Sequence, residues 1–293
     1  MVHHNGCPLC SSQALSLKFN VRDYFVTGEV FPVVTCDSCG FLFTQDYPEE
    51  NEMTRYYDSG SYISHSNSSE GIVDRLYQLI RQVMLKRKTA LVRRYAGKSE
   101  GSILDVGCGT GHFLDAMKKD GWNSAGIEIN PAAREFAVSK FNLTVYQSAD
   151  HLPPDSQFDC ITLWHVLEHF HKPEEYILSL KKRLKPAGVL IIALPNSGSF
   201  DASHYKDKWA AYDVPRHLWH FNPFTFKIFA ENSGIRLMAM KYLPFDVFYI
   251  SILSEKYRNS KISLLSGLAI GAFFWFLSLF NRNRTSSVIY ISK

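Results

Sequence analysis

A chain of 293 residues, 46% of them hydrophobic, has room for one large domain or two smaller ones and enough apolar surface for a full core. Its 32 basic residues against 28 acidic leave only +4, and the basic ones are scattered, which excludes the charge pattern of a nucleic-acid binder. The start, MVHHNGCPLC, has neither the basic end nor the apolar run of a secretory signal, so the chain is expected in the cytoplasm, where thiols stay reduced.

Four of the six cysteines form two CxxC pairs, Cys7 with Cys10 and Cys36 with Cys39, separated by 25 residues. Two such turns can aim four thiolates at one ion and close a tetrahedron, the arrangement of structural zinc. A redox role needs only one pair, and paired disulfides need an oxidising compartment. The residues between the pairs, SLKFNVRDYFVTGEVFPVVTC, alternate as short strands around a zinc knuckle do. Residues 1–45 are therefore expected to form a small zinc-ribbon-like domain that draws folding energy from its metal. Cys108 and Cys160 stand alone and read as small buried hydrophobes.

Residues 46–98 read as a linker followed by a helix. The tyrosine-rich RYYDSGSYISHSN has no single face, and Tyr56, Tyr57 and Tyr62 could form a lid or simply pack. Ile72, Leu76, Leu79, Ile80 and Val83 then recur at helical spacing, which predicts an amphipathic helix packed through that stripe.

From residue 99 strands and helices alternate. SILDVG, WNSAGIEI, LTVYQ, FDCITLW and GVLIIAL read as strands. HFLDAMKKDG, NPAAREFAVSKF, PEEYILSLKKRL and PFTFKIFAENSG read as helices, with Asn130 as a cap and Pro131 in the first turn. This order predicts a doubly wound α/β fold, a parallel sheet that binds its ligand at the carboxyl ends of the strands.

The first strand runs into DVGCGTG, with Asp105, Gly107, Gly109 and Gly111. A dinucleotide loop wants GxGxxG, and here the third position falls on His112. Asp105 would repel a pyrophosphate but favours the ammonium and sulfonium of S-adenosylmethionine. In these residues the chain resembles the class I S-adenosylmethionine-dependent methyltransferases, from Gly101 to about Leu243. The resemblance implies a seven-stranded Rossmann-like sheet over 99–293 and an enzyme that methylates a small molecule such as a sugar, a quinone or a lipid-linked compound. It implies that ILDVGCGTG wraps the methionine part, that Glu128 bonds the ribose and Asp150 the adenine, and that Ile129 and Trp164 complete the cofactor contacts. Within that family, an N-terminal four-cysteine domain is similar to that of the sugar C-methyltransferases, whose long C-terminal domain is missing here. A non-catalytic protein that merely binds S-adenosylmethionine is the alternative.

His165, Glu168 and His169 spell HxxEH, the inverted zinc-peptidase motif. That motif needs a helix, and here the residues follow a strand, with the next helix starting only near Pro173. Methyl transfer from a sulfonium depends mostly on holding the acceptor close and aligned, and needs a base only if the acceptor loses a proton. Six of the eleven histidines fall between His165 and His220, and His169, His165 and His217 are the candidate bases, with His220 beside them.

The last segment, 244–284, contains ISLLSGLAIGAFFWFLSLF, nineteen uncharged residues and long enough to span a bilayer. The strand-like SSVIYISK that follows should return between the fifth and sixth strands, which a spanning helix would prevent. The segment is therefore expected to be an insertion lying over the acceptor mouth, its three serines and two glycines allowing close packing. Lys256, Arg258, Lys261, Arg282 and Arg284 flank it and could hold it against anionic lipid headgroups, a peripheral membrane contact suited to an apolar acceptor.

Overall fold

The computed structural model describes residues 1–57 and 72–293; Tyr62 lies outside them, as do the side chains of Ile72, Leu76 and Leu79. At the N-terminus, β1 (Leu15–Arg22) and β2 (Val30–Cys36) form an antiparallel hairpin with Leu15 opposite Cys36 and Arg22 opposite Val30. A short β3 (Leu42–Thr44) pairs antiparallel with β2. A 3₁₀ turn over Glu50–Tyr56 follows, closed at its start by the reciprocal bonds of Glu49 and Glu52.

The next unit begins with α1 (Ile72–Ala96). Ile80 and Val83, predicted to face a core, are each 37% exposed. The helix is anchored instead in its last turns, where Thr89 and Val92 are buried and the Lys88 ammonium lies 4.1 Å from the ring centre of Trp164. Periodicity marks an apolar face but not how far along the helix a partner surface extends.

After it, β4 (Ser102–Val106), α2 (His112–Lys119), β5 (Asn123–Ile127), α3 (Pro131–Phe141), β6 (Thr144–Tyr146), β7 (Phe158–Trp164), α4 (Pro173–Lys182) and β8 (Leu184–Pro195) alternate as predicted. The local causes are visible. Phe113, Leu114 and Met117 give α2 one buried face. The Asn130 side chain accepts the Ala133 N–H and caps α3, with Pro131 in the first turn where its missing N–H costs nothing. β4 is parallel to β5 and β7, and β5 to β6.

The remaining elements are α5 (Phe200–Tyr205), β9 (Trp219–His220), α6 (Pro223–Asn232), β10 (Leu237–Tyr242), α7 (Asp246–Tyr257), α8 (Ser263–Phe280) and β11 (Ser287–Ser292). β9 pairs antiparallel with β3, so the small N-terminal sheet has the order β1-β2-β3-β9. The large sheet has the order β10-β11-β8-β7-β4-β5-β6, seven strands as predicted, with β11 returning between β8 and β10. All six residues of β11 are buried, and Tyr290 stacks on Phe226 of α6 at 3.6 Å.

Between β10 and β11 in the chain, α7 and α8 pack together. A Cβ on Gly267 would lie 2.5 Å from the Ile252 Cα, and one on Gly271 would lie 3.1 Å from the Phe248 Cα, so the two glycines let the helix backbones close up. By length and composition α8 could cross a membrane, and only 17% of its apolar window is buried. Leu265, Phe273, Phe276 and Phe280 all stand more than half exposed.

The N-terminal hairpin does not rely on itself for a core. Val21, Phe31 and Val33 share one apolar cluster with Tyr56, Trp209, Tyr212, Val214, Val247 and Phe274. At its edge Arg216 is almost wholly buried. Its guanidinium donates to Asp23 at 2.8 Å, to both oxygens of Asp213 at 2.7 and 3.0 Å, and to the Tyr56 carbonyl at 2.9 Å. Asp23 in turn accepts the backbone N–H groups of Phe25, Val26 and Thr27, which closes the β1–β2 turn. Burial opposes ionisation of Asp23, but Arg216 and the Thr27 N–H hold its carboxyl below the usual range.

Removing the guanidinium would strand two carboxylates. Arg216→Ala is therefore expected to lose about 3–5 kcal/mol in urea unfolding. A loss under about 1 kcal/mol would show that Arg216 does not tie these segments together.

Candidate functional site

The glycine loop after β4 is built from backbone in the left-handed region, which favours glycine. Gly107, Gly109 and Gly111 have φ of +66°, +54° and +79°. A Cβ on Gly107 would lie 2.5 Å from Val166, and one on Gly111 would lie 2.8 Å from the Cβ of Ala137, whereas Gly109 has nothing within 4 Å. The loop is thus locked on two sides and presents bare backbone on the third.

Glu128, just past β5, holds the loop. One of its carboxylate oxygens accepts the Gly109 N–H at 2.8 Å and the other the Asn130 N–H at 2.8 Å. Each oxygen keeps a second lone pair for a donor such as a hydroxyl. Ile129 beside it is 80% exposed, an aliphatic side chain left in water at the rim of the loop. Asp105 is buried and accepts the Thr162 hydroxyl at 2.6 Å. Burial pushes its carboxyl up to about 7, with Thr162 and Lys88 pulling the other way. Trp164 stands edge-on to Phe113, and Asp150 is exposed in the 3₁₀ turn Ala149–His151. This donor set, the Glu128 and Asp105 carboxylates beside open loop backbone, suits a cationic ligand carrying hydroxyls.

Cys7, Cys10, Cys36 and Cys39 place their sulfurs within 4.8 Å of one another. The Cys7–Cys39 and Cys10–Cys36 sulfurs are each 3.6 Å apart, against the roughly 3.8 Å edge of a tetrahedron with 2.3 Å Zn–S bonds. The two CxxC turns are built alike. In each, the residue after the second cysteine takes positive φ, Ser11 at 61° and Gly40 at 71°, and its N–H returns to the first cysteine's carbonyl at 2.8 Å. The donor set and its closed geometry fit a structural tetrathiolate ion.

The predicted histidines separate. His220 is buried in β9, bonded to the Thr44 hydroxyl at 3.0 Å and pushed down to about 3 by burial, a structural role. His165 has φ +58° and lies outside any cluster of potential metal ligands among the described residues. His169 and His217 come together, ring centres 4.6 Å apart, with the fully buried Glu168 beside them. The HxxEH reading fails on this geometry: Glu168 and His169 sit in a 3₁₀ turn, Leu167–His169, and their partner is His217.

The His169 Nδ1 lies 3.1 Å from the Arg216 carbonyl and 3.0 Å from the Tyr57 hydroxyl; the His217 Nδ1 lies 2.8 Å from the Ala211 carbonyl. A carbonyl only accepts, so both rings carry a proton on Nδ1, and in the neutral form of each ring Nε2 is the nitrogen with the lone pair. Burial, with His217 alongside, lowers His169 to about 4, so it is neutral near pH 7. Tyr56, which the sequence left between lid and packing, is fully buried with its hydroxyl donating to Glu29 at 2.6 Å. Arg216 and Asp213 went unnoticed in the sequence, although a charged pair inside the aromatic run WAAYDVPRHLWHF is the kind of signal that marks a buried ion pair.

Residues 77–239 match the profile of a family described as a methyltransferase domain. The ubiquinone biosynthesis O-methyltransferase of Rickettsia bellii (strain OSU 85-389) is 24% identical over 214 residues, which cover 68% of this chain and 86% of that one. The protein of the same description from Rickettsia akari (strain Hartford) is 29% identical over 188 residues, covering 60% and 74%. Among solved structures, a SAM dependent methyltransferase from Archaeoglobus fulgidus aligns with a TM-score of 0.48 at 24% identity, over 74% of this chain and 99% of that one.

Proposed function

This chain belongs to the S-adenosylmethionine-dependent methyltransferases, and we propose that its acceptor is a lipid-linked, quinone-like phenol methylated on oxygen. The relatives described as ubiquinone biosynthesis O-methyltransferases support that acceptor class. So does the exposed apolar face of α8 with Lys256, Lys261 and Arg282 at its ends, a surface suited to a peripheral contact with an anionic bilayer from the cytoplasmic side.

The donor site rests on one arrangement, the Glu128 carboxylate clamped between the Gly109 and Asn130 N–H groups beside a buried Asp105. Glu128 accepts the ribose hydroxyls through its remaining lone pairs, and Asp150 the adenine amino group. Gly107, Gly109 and Gly111 let backbone approach the methionine part, Ile129 and Trp164 shield the nucleoside, and Asp105 balances positive charge. Bound S-adenosylmethionine supplies a methyl group on a good sulfonium leaving group, so the chain's task is to hold the acceptor oxygen in line. His169, His165 and His217 are the candidates to serve the acceptor oxygen, and of these His169 and His217 lie together. Cys7, Cys10, Cys36 and Cys39 hold a structural zinc ion that fixes the β1–β2 end of the small sheet.

Two measurements test these assignments. In calorimetry, Glu128→Ala is expected to weaken S-adenosylmethionine binding by about tenfold or more, the cost of a lost charge-assisted bond. Wild-type affinity should also rise about tenfold from pH 6 to pH 8, because Asp105, held near pH 7 without ligand, must be ionised to meet a cation. Affinity unchanged by the substitution and flat with pH would take both carboxylates out of the donor site. In metal analysis of reduced protein, Cys36→Ser should lose one equivalent of zinc and lower the melting temperature; unchanged zinc content would refute the tetrathiolate site.

A further inference from the structure

We propose that Glu168, His169 and His217 form a second metal site, one for a divalent first-row cation, distinct from the four cysteines. One ligand atom from each lies within 4.8 Å of the other two, before any ion draws them together. Glu168 and His169 are neighbours in one 3₁₀ turn and His217 lies 48 residues further on, and the fold brings it to them by specific bonds. The Leu218 N–H donates to the Glu168 carbonyl at 2.8 Å, which ties the 3₁₀ turn to the strand after His217. The His217 N–H donates to the Asp213 carbonyl at 3.0 Å, and Arg216 between them is fixed by its buried ion pairs.

The hydrogen bonds set the chemistry of the rings. Each Nδ1–H is spent on a backbone carbonyl, Arg216 for His169 and Ala211 for His217. That arrangement selects the tautomer whose Nε2 is a donor of electrons and orients the ring, as backbone carbonyls do behind histidines that ligate metals. A carboxylate fully out of water completes a two-histidine, one-carboxylate set. Asp213, whose carboxylate lies 3.9 Å from the His217 Nε2 and is itself bonded to Arg216, is a second carboxylate on the ligating side of that ring. Three protein ligands leave positions for water or for an oxygen of a bound molecule, unlike the closed tetrathiolate. An ion there would take up the acceptor hydroxyl and lower its pKa; that consequence rests on the methyltransferase reading, whereas the metal site itself does not.

Cobalt(II) titration of the full-length apoprotein separates the two sites, since thiolate ligation gives intense near-ultraviolet charge-transfer absorption and an N₂O set only weak visible bands. Wild type should saturate at two equivalents. His217→Ala should bind one and keep the thiolate absorption, its melting temperature and its S-adenosylmethionine affinity, whereas Cys36→Ser should keep one equivalent without that absorption. Saturation of the wild type at a single, thiolate-bound equivalent would overturn the proposal, and so would a folded His217→Ala that still binds two. Should the substitution prevent folding, the wild-type stoichiometry decides alone. Loss of donor binding with two metals retained would count against the donor site and leave this one standing.

Discussion

A guanidinium cannot be taken out of water without partners, and that constraint on Arg216 organises the part of the molecule around it. Asp23 on one side closes the β1–β2 turn, Asp213 on the other shapes the loop before His217, and the Tyr56 carbonyl brings in the end of the N-terminal 3₁₀ turn. The same residue's backbone carbonyl receives the His169 ring. One buried cation therefore fixes the position of the N-terminal hairpin and the orientation of an imidazole. A buried pair of this kind adds little net stability over a well-packed apolar substitute, so its value lies in specifying one arrangement.

The donor side follows a different logic. There the constraint is backbone geometry: three positive-φ glycines, two of them closed off by Val166 and by Ala137, leave a single face of the loop open. Glu128 accepts two backbone N–H groups and so is positioned before any ligand arrives, a preorganisation that spares binding the cost of ordering it. Burial raises the Asp105 carboxyl to about 7, and in the donor site we propose a cation beside it would favour its ionised form.

Much of this was legible in the sequence because it is local. The CxxC spacing, the Asn130 and Pro131 helix start, the DVGCGTG loop and the strand-like end of the chain each carry their cause within a few residues. What the sequence hid is what depends on long-range pairing. Two residues at 219–220 complete the N-terminal sheet, and His217 rather than His165 joins Glu168 and His169. No spacing rule connects such positions, because the fold alone sets their distance. Of the stripe read from the sequence, the described members Ile80 and Val83 are each 37% exposed, while among the described residues of α1 Thr89 and Val92 are buried. The N-terminal segment also shares its core with Trp209, Tyr212 and Val247, residues too distant in the chain for local spacing to reveal.

The donor site we propose at Glu128, Asp105 and the open glycine face, in a chain of this family, has one central consequence: methyl groups must leave the donor for a small molecule. The direct measurement is turnover of methyl-labelled S-adenosylmethionine by the purified full-length protein against a cell extract, separated afterwards into lipid, sugar and protein fractions. The account expects label to accumulate in the lipid fraction and to vanish with Glu128→Ala. Donor bound tightly with no label in any fraction would contradict it, leaving a protein that holds S-adenosylmethionine without using it.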